Sequence, residues 1–216
     1  MSYILQNPQI ISSLLLDHML ISAAALFSAA LIALPVGILI APRPKLSGLV
    51  LGIYGVFYTI PSIALIILLI PFFGLNAYSV IFALILYAQV ILVRNLVAGL
   101  SGVNAVLIEA ARGAGMNGWQ RWWRVQFPLA LPVMLAGVRL AAVVTIAIAT
   151  IGAKFGAGGL GMLLFDGIAQ NRYDKIWAGA IVVAGLALLV NTLLGRLEDR
   201  LDFQKRIQNH FIGHPH

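Results

Sequence analysis

The sequence contains no cysteine and few charged residues. The absence of cysteine excludes a disulfide framework and a thiolate-ligated metal site. Only 10% of the 216 residues are charged and 61% are hydrophobic, whereas an ordinary soluble domain has about 25% charged residues. A soluble fold of this size would leave roughly a third of its surface in water. The composition therefore predicts an integral membrane protein.

The charge that is present is mostly positive, with 14 Lys and Arg against 7 Asp and Glu. A basic excess can indicate nucleic-acid binding, but here the cations are scattered between long apolar runs. That distribution is typical of membrane proteins, whose cytoplasmic loops are enriched in Lys and Arg. We expect membrane lipid around the chain and no nucleic-acid partner.

Signatures of catalysis and cofactor binding are missing from the sequence. It has no G-x-x-x-x-G-K-[ST] phosphate loop, no Ser/His/Asp set and no carboxylate pair. The stretches 113–118 and 156–161 match G-x-G-x-x-G, but both lie in loops between apolar helices, and a dinucleotide fingerprint requires a βαβ unit. The histidines within 210–216 form no ligand cluster. We expect no enzyme activity, cofactor or metal in this chain.

Five apolar segments are long enough to cross a membrane, since about 20 apolar residues in a helix span the hydrocarbon layer. Pro61 lies inside the second segment and should kink it, with Tyr58 and Ser62 as nearby polar groups. The predicted fold is a single all-α transmembrane domain over 1–216. Its spans are 19–41, 47–73, 78–99, 130–152 and 176–195.

The orientation of these spans follows from the distribution of Lys and Arg. If the loop that contains Arg112 is cytoplasmic, three cations lie outside, namely Lys154, Arg172 and Lys175. Because cations concentrate on the inner side, the N-terminus is predicted outside the cell and the tail 196–216 in the cytoplasm. The ten inner cations are Arg43, Lys45, Arg94, Arg112, Arg121, Arg124, Arg196, Arg200, Lys205 and Arg206.

The longest polar stretch between the spans, 101–128, carries a spaced motif. Glu109, Ala110 and Ala111 are followed after three residues by Gly115, and after nine more by Val-Gln-Phe-Pro at 125–128. The spacing resembles the EAA signature of ABC importer permeases, E-A-A-x3-G-x9-I-x-L-P, with Val and Phe as apolar replacements.

Local chemistry predicts two short helices in this loop. Asn104 can cap a helix over 105–112, and Asn117 with Gln120 three residues later is typical of a capping box. Gly115 lies between the two and should allow the backbone to turn sharply. The alternative is an ordinary pair of interfacial amphipathic helices.

A wider resemblance narrows the family. The segments YTIPSIALIILLIPFFG, RNLVAGLSGVNAVLIEAARGAGM and TIGAKFGAGGLGMLLFDGI are similar to permease subunits of glycine betaine/carnitine/choline importers, and the likeness extends over about 15–200. It implies a location in a bacterial inner membrane and the five-helix core of type I ABC importers, with a cytoplasmic coupling helix and a short external helix near 160–169. Lys154 departs from the pattern, because such permeases usually carry an apolar residue there.

The resemblance also implies partners and residue roles. ATP and Mg would bind to two separate ATP-binding subunits, and the working importer would include a second permease subunit, identical or homologous, and an external substrate-binding protein. Within this chain, Glu109, Ala110, Ala111 and Gly115 would couple to the ATPase.

Tyr58, Pro61 and Ser62 are the candidates for the substrate path. Aromatic side chains nearby, including Tyr54 and Phe57, could contact a quaternary ammonium group through cation–π interactions, although aromatic residues in membrane helices also serve in packing.

Two other functions are considered. One is the permease of an amino-acid importer, such as a methionine importer, which shares the five-helix core. The other is an ion-coupled secondary transporter, which would be expected to have inverted repeats and acidic residues at the midplane of the membrane. No repeat is visible and no Asp or Glu lies within the five predicted spans, so this second alternative is disfavoured.

Overall fold

Helices account for all regular structure in the described part of the chain, residues 2–202 of the computed structural model. The prediction of an all-α fold is confirmed. In chain order the elements are α1 (Ser2–Gln6), α2 (Pro8–Ile40), α3 (Pro44–Thr59), α4 (Ser62–Phe73), α5 (Ala77–Ser101), α6 (Ala105–Gly113), α7 (Gly118–Arg121), a π-helix (Trp122–Gln126), α8 (Phe127–Gly152), a 3₁₀ turn (Ala153–Phe155), α9 (Gly161–Ala169) and α10 (Tyr173–Leu201).

Four helical runs are long and apolar enough to cross a membrane: α2, α5, the continuous run Gly118–Phe155 and α10. The pair α3 and α4 makes a fifth candidate if it is counted as one broken span. These five overlap the five segments expected from the sequence. The short helix α9, with nine residues, lies between the last two long helices and is too short to span the membrane.

The second apolar segment, 47–73, is two helices rather than one kinked helix. α3 and α4 are bent by 94° at the residues Ile60 and Pro61. Pro61 has no N–H group, and its ring disfavours helical conformation at the preceding residue, so Ile60 is extended with φ −69° and ψ 126°. The predicted kink is therefore a complete break.

The ends of two long helices differ from the expected spans. α2 begins at Pro8, well before position 19, because proline suits the first helical turn and residues 8–18 contain no later breaker. α10 continues to Leu201, so the charged stretch RLEDRL is the end of the last long helix rather than a separate element. The remaining tail, 203–216, with its three histidines, lies outside the described residues.

α5 is the central helix of the bundle. In its most apolar 18-residue window 67% of the residues are buried, against 28%, 39% and 17% in the other three long runs. It packs against α2, α3, α4 and α8. Small residues permit the close approach: a Cβ on Gly37 would overlap the side chain of Leu96, and one on Gly137 would overlap Asn95.

Two fully or nearly buried polar side chains reach across this bundle to backbone carbonyl groups. Gln89 of α5 donates from Nε2 to the carbonyl oxygen of Ala29 in α2 at 2.9 Å. His18 of α2 donates from Nε2 to the carbonyl oxygen of Ile146 in α8 at 3.1 Å. Such bonds matter in an apolar environment, because an unpaired polar group there is costly.

Candidate functional site

The polar loop after α5 begins with a capped helix. The side-chain oxygen of Asn104 accepts a hydrogen bond from the backbone N–H of Val106 at 2.9 Å, as expected for an N-cap. The helix that follows, α6, presents Glu109 and Ala110 to solvent and turns Ala111 inward. The three residues of the EAA motif thus divide between an exposed and a buried face.

Gly115 ends this helix in a Schellman motif. Its own N–H donates to the carbonyl of Arg112 at 3.0 Å, and the N–H of Met116 donates to the carbonyl of Ala111 at 3.1 Å. Gly115 has φ +78°, in the left-handed region that favours glycine. A Cβ at Gly115 would meet no atom within 4 Å, so the requirement for glycine is conformational rather than steric.

A second cap follows directly. Asn117 Oδ1 accepts from the N–H of Gln120 at 2.9 Å, and Gln120 Oε1 accepts from the N–H of Asn117 at 3.0 Å. This reciprocal pair is the predicted capping box, and it opens α7. Arg121 ties the same turn together, because its Nη1 donates to the carbonyl of Met116 at 2.9 Å. The loop is therefore held in one shape by its own side chains.

The loop joins the membrane bundle without a flexible connection. α7 continues through the π-helix Trp122–Gln126 into α8, and together with the 3₁₀ turn Ala153–Phe155 they make one helical run of 38 residues. Within the π-helix the rings of Trp122 and Trp123 stack at 5.8 Å, and both contact Phe127. Single π-helical turns inside α-helices are frequent at functional sites.

Glu109 has no ion-pair partner among residues 2–202. The exposed carboxylate lies within 4.0 Å of no cation, although the loop also contains Arg112, Arg121 and Arg124. Near it on α6, Val106 is 67% exposed. The exposed side of α6 thus combines an unpaired negative charge with small and apolar residues.

The three residues predicted for the substrate path meet at the break between α3 and α4. Tyr58 lies in the last turn of α3, Pro61 interrupts the helix, and Ser62 begins α4. α5 supports the break, since the hydroxyl of Tyr87 donates to the carbonyl of Ile60.

The coupling residues and the break residues form two separate groups. Tyr87 precedes Ser101, the end of α5, by 14 residues, which is about 21 Å along a helix. Any influence of the loop on the break must therefore pass through the helices.

The glycine-rich stretch before α9 is a tight turn. Gly156, Gly158 and Gly159 all have φ near +80°. Gly159 lies directly on His18: a Cβ there would be 2.9 Å from His18 Nδ1 and 3.2 Å from its Cα. Lys154, which we expected to depart from the pattern of similar permeases, has its Nζ 5.5 Å from the centroid of the Phe165 ring in α9.

The one charged side chain inside the apolar part of α8, Arg139, extends to the end of α10. Its Nε lies 3.4 Å from Glu198 Oε2, three residues before that helix ends. Half-buried Asn95 and exposed Asn191 line an open cavity of about 500 Å³ beside it. An arginine in the apolar half of a helix can extend its guanidinium to the membrane interface in this way.

Sequence comparison decides the family. The profile of the family described as "Binding-protein-dependent transport system inner membrane component" matches residues 33–206. The chain belongs to this family of inner-membrane permeases. In this permease the match includes the capped loop 101–128, the break between α3 and α4 and the glycine-rich turn before α9.

Relatives of the permease share much of its sequence. The carnitine transport permease protein OpuCB of Listeria monocytogenes is 43% identical over 86% of this chain and 85% of its own length. The osmoprotectant import permease protein OsmW of Salmonella typhimurium is 39% identical over 91% of this chain and 94% of its own.

A solved structure shares the fold of the permease. In the inward-facing MetNI methionine ABC transporter, one chain aligns with a TM-score of 0.77 over 89% of this chain and 96% of that chain, at 24% identity. The permease therefore has the fold of type I ABC importer membrane subunits.

Three residues of the permease make long-range contacts that the neighbouring sequence does not predict. His18, Tyr87 and Gln89 each sit in an apolar run, and their partners are 128, 27 and 60 residues away. A polar side chain in a membrane helix is the one indication that could have singled them out.

Proposed function

We propose that the permease carries quaternary-ammonium compatible solutes, such as glycine betaine, choline or carnitine, into the bacterial cell as part of an ATP-driven importer. The observation that carries this proposal is the 43% identity with a carnitine transport permease over 86% of the chain. Identity of 39% with an osmoprotectant permease supports the same substrate class.

The importer would contain two ATP-binding subunits, a second permease subunit, identical or homologous, and an external substrate-binding protein. The membership of a binding-protein-dependent family supports the binding protein. A separate ATPase is needed because this sequence has no phosphate loop, so ATP and Mg would bind to the partner subunits. The permease itself catalyses no reaction in this scheme.

The capped loop would be the contact with the ATPase. Ala110 is small enough to let another protein surface approach α6, and Glu109 would pair with a cation of the ATPase because no cation of residues 2–202 neutralises it. Ala111 would hold α6 against the π-helix, and Gly115 would set the angle between α6 and α7.

The continuous helix after the loop would carry the motion. When ATP closes the ATPase subunits, a displacement of α6 and α7 passes into α8 through a helical run without a hinge loop. α8 packs on α5 and α10, so the membrane helices would change between inward-facing and outward-facing arrangements. Solute would pass the break at Tyr58, Pro61 and Ser62.

The orientation that this function requires places the loop 101–128 in the cytoplasm. The N-terminus would then lie outside, and α9 would face the binding protein. The excess of Lys and Arg in the loops assigned to the inner side supports this orientation.

Uptake by the purified complex tests the proposal. The complex, isolated through a tag on this chain and placed in liposomes with its binding protein, should accumulate labelled choline, carnitine or glycine betaine only when ATP is enclosed. Accumulation of methionine but of none of the three would assign the permease to amino-acid import. Accumulation driven by an ion gradient without ATP would refute the importer mechanism altogether.

A further inference from the structure

The break between α3 and α4 combines three features that suit a cation without hydrogen-bond donors. These features are a pair of tyrosine rings, a helix end with free carbonyl groups and a position near the middle of the membrane. Resting on the proposed function, we propose that Tyr58 and Tyr87 form a transit site for the quaternary ammonium group of the solute at this break.

The two rings form adjoining walls. Their centroids are 5.5 Å apart and their planes meet at 61°. Tyr58 is 43% exposed and Tyr87 is 8% exposed, so Tyr58 offers the accessible ring and Tyr87 lies beneath it. A quaternary ammonium group is attracted to the faces of aromatic rings, and several rings together are its usual protein partner.

Tyr87 is fixed in place by the break itself. Its hydroxyl donates to the carbonyl of Ile60, which is extended because Pro61 follows. The hydrogen bond orients the Tyr87 ring, so Tyr87 acts as a positioning residue as well as a wall of the site.

The end of α3 adds a favourable electrostatic contribution. Within residues 2–202 no hydrogen bond reaches the carbonyl groups of Tyr58 and Thr59, because the helix stops and Pro61 has no N–H. Free carbonyl groups at a helix C-terminus carry partial negative charge and favour a cation. Residues 44–101 contain no Asp or Glu, so a cation would be held weakly enough to leave again.

The depth of the site agrees with a place on the path. Tyr87 lies ten residues from the start of α5, which is about 15 Å in a helix of about 37 Å. Discontinuous helices near the midplane form the substrate sites of many transporters, since unwound backbone supplies polar groups where lipid cannot.

Protection from alkylation tests binding separately from uptake. The chain has no native cysteine, so Ser62→Cys places one thiol at the break in the intact complex. Tetramethylammonium at millimolar concentration should slow its alkylation about threefold or more, while equal potassium chloride should not. Tyr58→Leu should abolish the protection and Tyr58→Phe should retain it, because Phe keeps the ring.

Phe82→Leu is the matched control, since Phe82 is 42% exposed on α5 but its ring contacts Phe73 rather than Tyr58 or Tyr87. In uptake assays over a range of loaded binding protein, Tyr58→Leu should lower the maximal choline rate about threefold to tenfold. The concentration of loaded binding protein that gives half the maximal rate should not change, and Phe82→Leu should change neither quantity.

The outcomes separate the two proposals. Choline uptake that is unchanged in Tyr58→Leu, together with no protection by tetramethylammonium, overturns the transit site and leaves the proposed function intact. Failure of the wild-type complex to transport any quaternary ammonium compound overturns the proposed function instead.

Discussion

His18 of α2 donates a hydrogen bond to the carbonyl of Ile146 in α8, and the same imidazole lies directly beneath Gly159 of the glycine-rich turn before α9. One buried side chain thus connects two membrane helices to the segment that begins α9. The glycine-rich turn 156–161 is therefore attached to α8, the helix that continues from the capped loop at its other end.

The contact between Gly159 and His18 gives a prediction with a matched control. Gly158 and Gly159 both have φ +79°, but a Cβ on Gly158 would come no closer than 4.0 Å to Asp17 Oδ2, whereas one on Gly159 would overlap His18. Gly158→Ala should cost about 1 kcal/mol of backbone strain, and Gly159→Ala should cost about 1–3 kcal/mol more from overpacking. Thermal unfolding of the complex in detergent measures both.

Double variants identify the cause of the lower stability of Gly159→Ala. If the steric contact is responsible, adding His18→Ala to the Gly159→Ala variant should recover part of the lost stability. Adding His18→Ala to the Gly158→Ala variant should recover none. Equal losses for the two alanine variants, with no rescue, would show that Gly159 matters only for its backbone conformation.

The Schellman turn at Gly115 gives a second prediction. Gly115→Val should strain the turn by about 1–3 kcal/mol because φ is positive there, and ATP-driven uptake should fall strongly while the amount of complex inserted in the membrane stays constant. Gly115→Asn should keep most activity, since Asn tolerates the left-handed region.

Gly113 supplies the control for this turn. It lies in the same loop with equally open surroundings but without positive φ, so Gly113→Val should transport nearly as wild type. If Gly115→Val transports at the wild-type rate and loaded binding protein still stimulates its ATP turnover, the turn has no role in coupling to the ATPase.

The pair Arg139–Glu198 should contribute little to stability. The Arg139 side chain is 37% exposed, so water screens its charge, although Glu198 is only 19% exposed and its Oε2 atom is buried. Ion pairs screened by water typically give less than about 1 kcal/mol. A double-mutant cycle of Arg139→Ala and Glu198→Ala, measured by unfolding in detergent, should give a coupling energy in that range that decreases with added salt. A coupling several times larger would mean that the pair is desolvated in the membrane.

The orientation can be tested with single cysteines. Ala105→Cys at the start of α6 and Gln170→Cys after α9 are both at exposed positions. In intact cells a membrane-impermeant maleimide should label Gln170→Cys and leave Ala105→Cys unlabelled until the membrane is opened. The opposite pattern would invert the orientation and place α6 away from any cytoplasmic ATPase.

The features predicted correctly from the sequence are those with local causes. Asn104, Gly115 and the pair Asn117–Gln120 lie within a few residues of the groups they bond, so their spacing alone indicated the caps and the turn. Four of the five predicted spans followed from apolar runs for the same reason, and the fifth is the broken pair α3 and α4.

The features missed depend on contacts that are distant in sequence. Pro61 indicated a kink, but the 94° angle depends on how α4 packs against α5 and on the bond from Tyr87. The partner of His18 is 128 residues away, and no periodicity in an apolar helix reveals which carbonyl group an imidazole will meet.

The bond from Gln89 to Ala29 bears on how the bundle is assembled during synthesis. Synthesis runs from the N-terminus, and Ala29 precedes Gln89 by 60 residues, so α2 is made before α5. An amide in the lipid without an acceptor would be costly, but the N–H of Gln89 bonds to a carbonyl group on a helix that is made earlier. α8 arrives later and closes the other side of α5. The helices are therefore made in an order that suits this bond: the Ala29 carbonyl, which accepts it, is made before the Gln89 amide, which donates it.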